Sequence, residues 1–89
     1  MSELGVGISY GRGIKISMEY NEHPKPHFHV EYAGYEGRYK IADCTPLDKP
    51  LFAAQFRFVL AWWRKHQAEL YANWERSMQN LPFEKIEGL

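Results

Sequence analysis

The sequence predicts an α+β fold, a three-stranded antiparallel β-meander packed on its apolar face against a bent C-terminal helix or helical hairpin. Three observations carry this. Apolar and polar residues alternate from Gly13 to Tyr20 and again from His27, and a period of two belongs to half-buried strands. The connections between these alternating runs are short, which joins strands antiparallel and leaves one face wet. From Leu51 to about Gln79 there is neither Gly nor Pro, and apolar residues recur on a helical beat.

A chain of 89 residues is read as one domain spanning residues 1–89, with a modest core, because small domains bury a smaller share of their surface. Eleven Lys and Arg balance eleven Asp and Glu, which disfavours a strongly basic nucleic-acid binder while leaving room for a local basic face. No apolar run approaches the roughly 20 residues that span a bilayer, and the N-terminus lacks the basic-then-apolar layout of a secretion signal. No membrane association is expected. A cytoplasmic protein is expected, and the lone Cys44 agrees, since small secreted domains more often carry an even disulfide set. Cys44 itself reads as a small, half-buried side chain after a strand rather than a reactive thiol.

Taken in order, glycines at 5, 7, 11 and 13 make the opening stretch a loosely specified lead-in or short edge strand. Gly5-Val6-Gly7 opens like a dinucleotide fingerprint, but Tyr10 stands where the third glycine belongs and no long βαβ unit follows. In the first strand, Gly13 to Tyr20, Ile14, Ile16, Met18 and Tyr20 face one way while Lys15, Ser17 and Glu19 face the other. The loop from Asn21 to Pro26 leads to the second strand, His27 to Ala33. A turn at Gly34 to Gly37 precedes the third, Arg38 to about Asp43, with Tyr39 and Ile41 inward and Arg38 and Lys40 toward solvent. Thr45 to Pro50 then breaks the pattern, with Asp48 as N-cap and Pro50 in the first helical turn. A straight helix from Leu51 to Gln79 would reach about 43 Å at 1.5 Å per residue and overshoot so small a sheet. A bend near Gln67 and Ala68 is therefore expected. Leu81-Pro82-Phe83 ends the helix, and the tail to Leu89 is read as a packed extension.

The richest chemistry lies in Asn21-Glu22-His23-Pro24-Lys25-Pro26-His27-Phe28-His29-Val30-Glu31-Tyr32, which holds three of the four histidines. Pro24 and Pro26 forbid a helix. A strand beginning at His27 points His27, His29 and Glu31 to one face and Phe28, Val30 and Tyr32 to the other. Imidazoles beside a carboxylate offer proton transfer near neutral pH, which makes His27, His29 and Glu31 the candidate catalytic groups. Lys15, Arg38 and Lys40 beside them supply cations for a phosphate, with His23 as a further binding group from the loop. A metal is a competing use: His27 and His29 lie about 7 Å apart along the strand, and His23 or Glu31 would be a third ligand to zinc or another late divalent ion. No Cys stands at metal spacing and no His-Glu-x-x-His helix is present, so neither a metal nor any other cofactor is expected. The plainest use of the histidines is hydrogen bonding that orders the Pro-rich loop on a wet face. On the helix, Trp62, His66, Glu69 and Asn73 share one side; His66 and Glu69 would join the site if that side met the histidines, and otherwise lie at the margin of a core holding Trp62. A histidine-triad hydrolase is excluded, since Lys25 and Glu31 interrupt the alternation.

Ile14-x-Ile-x-Met18, His23-Pro24-x-Pro26-His27-Phe28-His29-Val30-Glu31-Tyr32, Val59-Leu60-x-Trp62, His66, Glu69-Leu70, Asn73-Trp74 and Glu84-Lys85-Ile86 before Leu89 together resemble the bacterial domain of unknown function 4160 family. The likeness runs over nearly the whole chain. It implies a cytoplasmic prokaryotic domain often encoded beside another small uncharacterised protein, an arrangement similar to toxin and antitoxin pairs. The chain departs from the family pattern at Thr45 to Pro50, where the typical form carries Gly-x-Leu-Pro. The functional expectation is a protein of such a pair that acts on or binds RNA through the His27, His29, Glu31 face. Two alternatives stand beside it: a non-enzymatic module binding a cognate small protein encoded nearby, and a metal-dependent hydrolase.

Overall fold

The computed structural model of the protein describes residues 5–22 and 25–89. His23, offered above as a binding group, lies outside the described residues. Four strands form an antiparallel sheet in sequential order: β1 (Val6–Gly11), β2 (Ile14–Met18), β3 (His27–Tyr32) and β4 (Tyr35–Lys40), followed by one helix, α1 (Ala53–Met78). The expected three strands are therefore four. The glycine-rich opening is a full edge strand because Gly11-Arg12-Gly13-Ile14 closes a hairpin, with Arg12 at φ 53° and Gly13 at φ 75°. Two successive positive φ values are what a two-residue turn between right-twisted strands requires. Ala33 and Gly34, at φ 50° and 80°, repeat the device between β3 and β4. That turn is tighter than the expected one, so β4 starts at Tyr35 and takes Gly37 into the strand.

Period-two alternation decides which side chains meet. Ile16 pairs with Val30 and Phe28 with Tyr39, so these residues share a face, and all four are at most 1% exposed. Helix α1 covers that face: Trp62 lies 6.0 Å from Phe28 between ring centroids and Phe56 lies 5.3 Å from Tyr39. Val59, Trp62 and Leu70 are buried against the strands. The helix is one element, not a hairpin, and it bends at His66, whose φ −124° and ψ 20° leave helical values, next to the expected Gln67 and Ala68.

Polar anchors fix both ends of the helix. Its N-terminus is not capped by Asp48. It begins at Ala53 with Phe52 at the cap position and no side-chain cap, while Tyr39 Oη accepts the Leu51 N–H at 2.6 Å. Asp48 instead accepts two bonds from Arg38, both at 2.9 Å. Trp63 donates to the Ile41 carbonyl at 2.7 Å. Beyond the helix, Asn73 grips the Glu84 backbone with both amide atoms at 2.9 Å. The tail then runs beside β1, with Ile86 N–H donating to Ile8 O at 2.8 Å and Leu89 N–H to Tyr10 O at 3.3 Å. This covers an edge that would otherwise offer unpaired backbone groups. Tyr20, expected inward, lies past the end of β2, stacked 4.5 Å from Phe83. Cys44 is 2% exposed, and burial, with the nearby Asp43 charge, pushes its thiol up to about 12.

Trp62 joins these layers, since its ring packs on Phe28 and its indole N–H donates to Glu87 O at 2.8 Å. Trp62→Ala is expected to cost about 3–5 kcal/mol and to lower the melting temperature by more than about 12 °C, read by differential scanning calorimetry. An unchanged melting temperature would place Trp62 outside the cohesive core.

Candidate functional site

The second face of the sheet carries His27, His29 and Glu31 on β3, opposite Lys40, Arg38 and Glu36 of β4 in register. Lys15 of β2 pairs with Glu31 and Ser17 with His29. The side assignments drawn from alternation hold, but the face is not wet at the histidines. His27 is 2% exposed and His29 7%. Alternation tells which face a residue occupies, not what covers that face. Here the cover is Glu22, from the loop between β2 and β3, together with Trp74, whose ring lies 5.3 Å from His27.

Glu22 organises the centre. One carboxylate oxygen, Oε1, lies 2.8 Å from Nε2 of His27 and 2.8 Å from Nε2 of His29. The two rings sit 5.3 Å apart at 62°. His29 is hydrogen-bonded to that oxygen. His27 is not: its Nε2 is buried without a hydrogen-bond partner. Its other nitrogen, Nδ1, is 2.6 Å from the Lys25 carbonyl. A carbonyl only accepts, so Nδ1 carries a proton and Nε2 is the ring nitrogen left on the Glu22 side.

The electrostatics follow from this packing. Burial is the largest single influence on Glu22 and pushes its carboxyl up, but the His29 hydrogen bond and the nearness of His29 and His27 outweigh it and bring the group below its usual value. Burial first, and then the Glu22 charge, hold Glu19 above the ordinary carboxylate range. The histidines are thus grouped with an acid that the sequence reading left aside. Glu31, two residues further along β3, faces Lys15 and Glu36 instead. A carboxylate seven residues before His29 gives no periodic signal, since a loop of that length can place it anywhere.

Of the proposed cations, Arg38 is engaged by Asp48, and Lys40 lies 3.9 Å from Asp43. His66 and Glu69 pair with each other, and His66 lines a separate cleft of about 190 Å³ beside Arg12, Phe58 and Lys65. No described contact joins this pair to the sheet histidines. His66 and Glu69 therefore serve the margin of the helix, where the Trp62 ring lies 5.5 Å from His66, tilted at 45°.

Fold and site together define a small α+β domain with a carboxylate and two imidazoles gathered behind a four-stranded sheet. The chain belongs to the domain of unknown function 4160 family, whose model matches residues 13–75. That span contains β2, β3, β4 and the whole Glu22, His27, His29 centre, and leaves out β1 and the tail. No curated protein and no solved structure matches the chain. No helix among the described residues is long and apolar enough to cross a membrane.

The Arg38–Asp48 pair sets a pH-dependent contribution beside the site. The hydrogen bond from Arg38 is the leading influence on Asp48 and holds its carboxyl below the ordinary aspartate range. A depressed carboxyl stabilises the fold above its unfolded value, and that part is lost as pH falls through the folded value. Both side chains are 40% exposed, so water screens the pair and limits it to less than about 1 kcal/mol. Asp48→Asn is expected to lower the urea midpoint slightly at neutral pH and to match the wild type once pH falls below the depressed Asp48 value and the carboxyl is protonated. Parallel curves down to the lowest pH would show that the pair contributes no proton-linked stability.

Proposed function

We propose that the protein is a hydrolase acting on RNA, with Glu22, His27 and His29 as its working centre. The convergence of two buried imidazoles on one carboxylate oxygen, each at 2.8 Å, carries this reading. Ordering a loop does not require it. Taking ionisable groups out of water is costly, and an apolar side chain would tie the loop down at lower cost. Glu22 keeps 23% of its side chain exposed, so the centre meets solvent on the carboxylate side, where a substrate would approach.

The neighbouring cations point to a phosphodiester. Arg38 stands directly across from His29 and Lys40 across from His27, so positive groups flank the centre on the same face. Their carboxylate partners are surface groups that a phosphate can displace at little cost. The chain has no net charge, which suits local capture of one phosphodiester better than tracking of a long polyanion. Activated water, or the adjacent 2'-hydroxyl of RNA, would be the nucleophile. In this reading the protein works in the cytoplasm, and a cognate small protein encoded nearby restrains it by covering the centre, as an antitoxin covers a toxin.

Expression of the protein without that neighbour is expected to slow growth, and the purified chain to cleave RNA. Glu22→Gln and His29→Gln should relieve the growth defect and lower the cleavage rate by at least about 100-fold, the scale of a lost acid or base group, while circular dichroism stays unchanged. Glutamine is the right replacement because His29 is only 7% exposed and truncation to Ala would leave a void. Harmless expression, or variants as active as the wild type, would leave an interaction module as the better reading.

A further inference from the structure

We infer that Glu22, His27 and His29 form a binding site for one zinc-class divalent cation. The inference deepens the hydrolase reading, on which the ion's chemical role rests, but the site is argued from its own geometry. One ligand atom from each residue lies within 4.8 Å of the other two. Two imidazole nitrogens and a carboxylate oxygen are the donors zinc and its late first-row neighbours select, and three protein ligands leave a fourth position for water or substrate.

His27 supplies the independent observation. Its ring is 2% exposed, yet Nε2 has no hydrogen-bond partner and faces a carboxylate oxygen that can only accept. A buried polar atom without a partner is costly, and a cation held at Nε2 would satisfy it while taking Glu22 as a second ligand. The far side of the ring is already prepared: Nδ1–H donates to the Lys25 carbonyl at 2.6 Å, and metal-binding histidines are oriented by such a bond from the other ring nitrogen to a carbonyl or carboxylate. Trp74, packed 5.3 Å away, holds the ring in place.

Size agrees. Around an ion with ligands at about 2.0–2.1 Å, the edges of a tetrahedron measure about 3.3–3.4 Å. The two nitrogen-to-oxygen edges here are 2.8 Å, so admitting the ion requires only a few tenths of an ångström of opening at Glu22, whose loop position allows it. His29 would offer Nε2 from the tautomer that carries its proton on Nδ1. The expectation of no metal rested on the absence of a Cys at metal spacing and of a His-Glu-x-x-His helix, and neither pattern records Glu22, which the loop brings in as a third ligand. When bound, the ion would supply Lewis-acid polarisation of a water or phosphoryl oxygen.

The test loads purified protein with Zn2+ alone, removes excess by dialysis, and counts the ion by plasma mass spectrometry; isothermal titration gives the affinity, and Co2+ in place of Zn2+ reports geometry through its visible spectrum. About one ion per chain is expected, with four-coordinate Co2+ bands. Binding should fall at least about tenfold in Glu22→Gln and His27→Gln and persist in His66→Gln, all folded by circular dichroism. Far less than one ion per chain, or equal binding in the Glu22 and His27 variants, overturns the site. The two readings separate cleanly. A stoichiometric ion without RNA cleavage keeps the site and removes the hydrolase, whereas RNA cleavage by protein that takes up no Zn2+ keeps the hydrolase and removes the site.

Discussion

Strand β3 has a neighbour along each edge, and its alternation divides the molecule in two. Phe28 and Val30 are committed to the interior by pairing with Tyr39, Gly37 and Ile16, of which Tyr39 and Ile16 belong to the core under α1. A one-residue slip would send both to the opposite face, and the apolar area they bury makes that slip prohibitive. His27 and His29 are therefore held on the second face at a fixed spacing, by residues whose side chains lie on the other. The hydrophobic core thus positions the polar centre with the stiffness of a sheet.

A rigid pair of imidazoles still needs a reason to be out of water. Glu22 folds across them and Trp74 closes over His27, so one centre draws on the loop between β2 and β3 and on the part of α1 beyond the bend at His66. The bend matters here, because the same helix also packs Trp62 against Phe28. Asn73, gripping Glu84, anchors that second half and starts the tail along β1. Fold and centre share these contacts, so a destabilised helix would disturb the centre even where its ligating groups remain.

Much of the architecture was legible in the chain. The alternation of Ile14, Ile16 and Met18, the change of face along His27 to Tyr32, and the uninterrupted helical stretch after Leu51 each follow from a local period. The missed strand shows where such reading stops. Val6 to Gly11 has weak alternation and two glycines, and it is held as a strand by pairing with β2 and by the tail on its outer edge, neither of which is a local property. Asp48 went the same way: its position suited a helix cap, but Arg38 on β4 lies close enough to claim both carboxylate oxygens.

The sequence by itself determined the two faces of the sheet and the placing of His27 and His29 on one of them, because side-chain direction in a strand follows from backbone geometry. Tertiary structure alone decided that the histidines on this face are covered, that Glu22 rather than Glu31 meets them, and that His66 and Glu69 stay apart from them. The reason is the same in each case. A loop's path and a helix's bend depend on packing between distant segments, and no periodicity along the chain records which carboxylate that packing will bring to a buried imidazole.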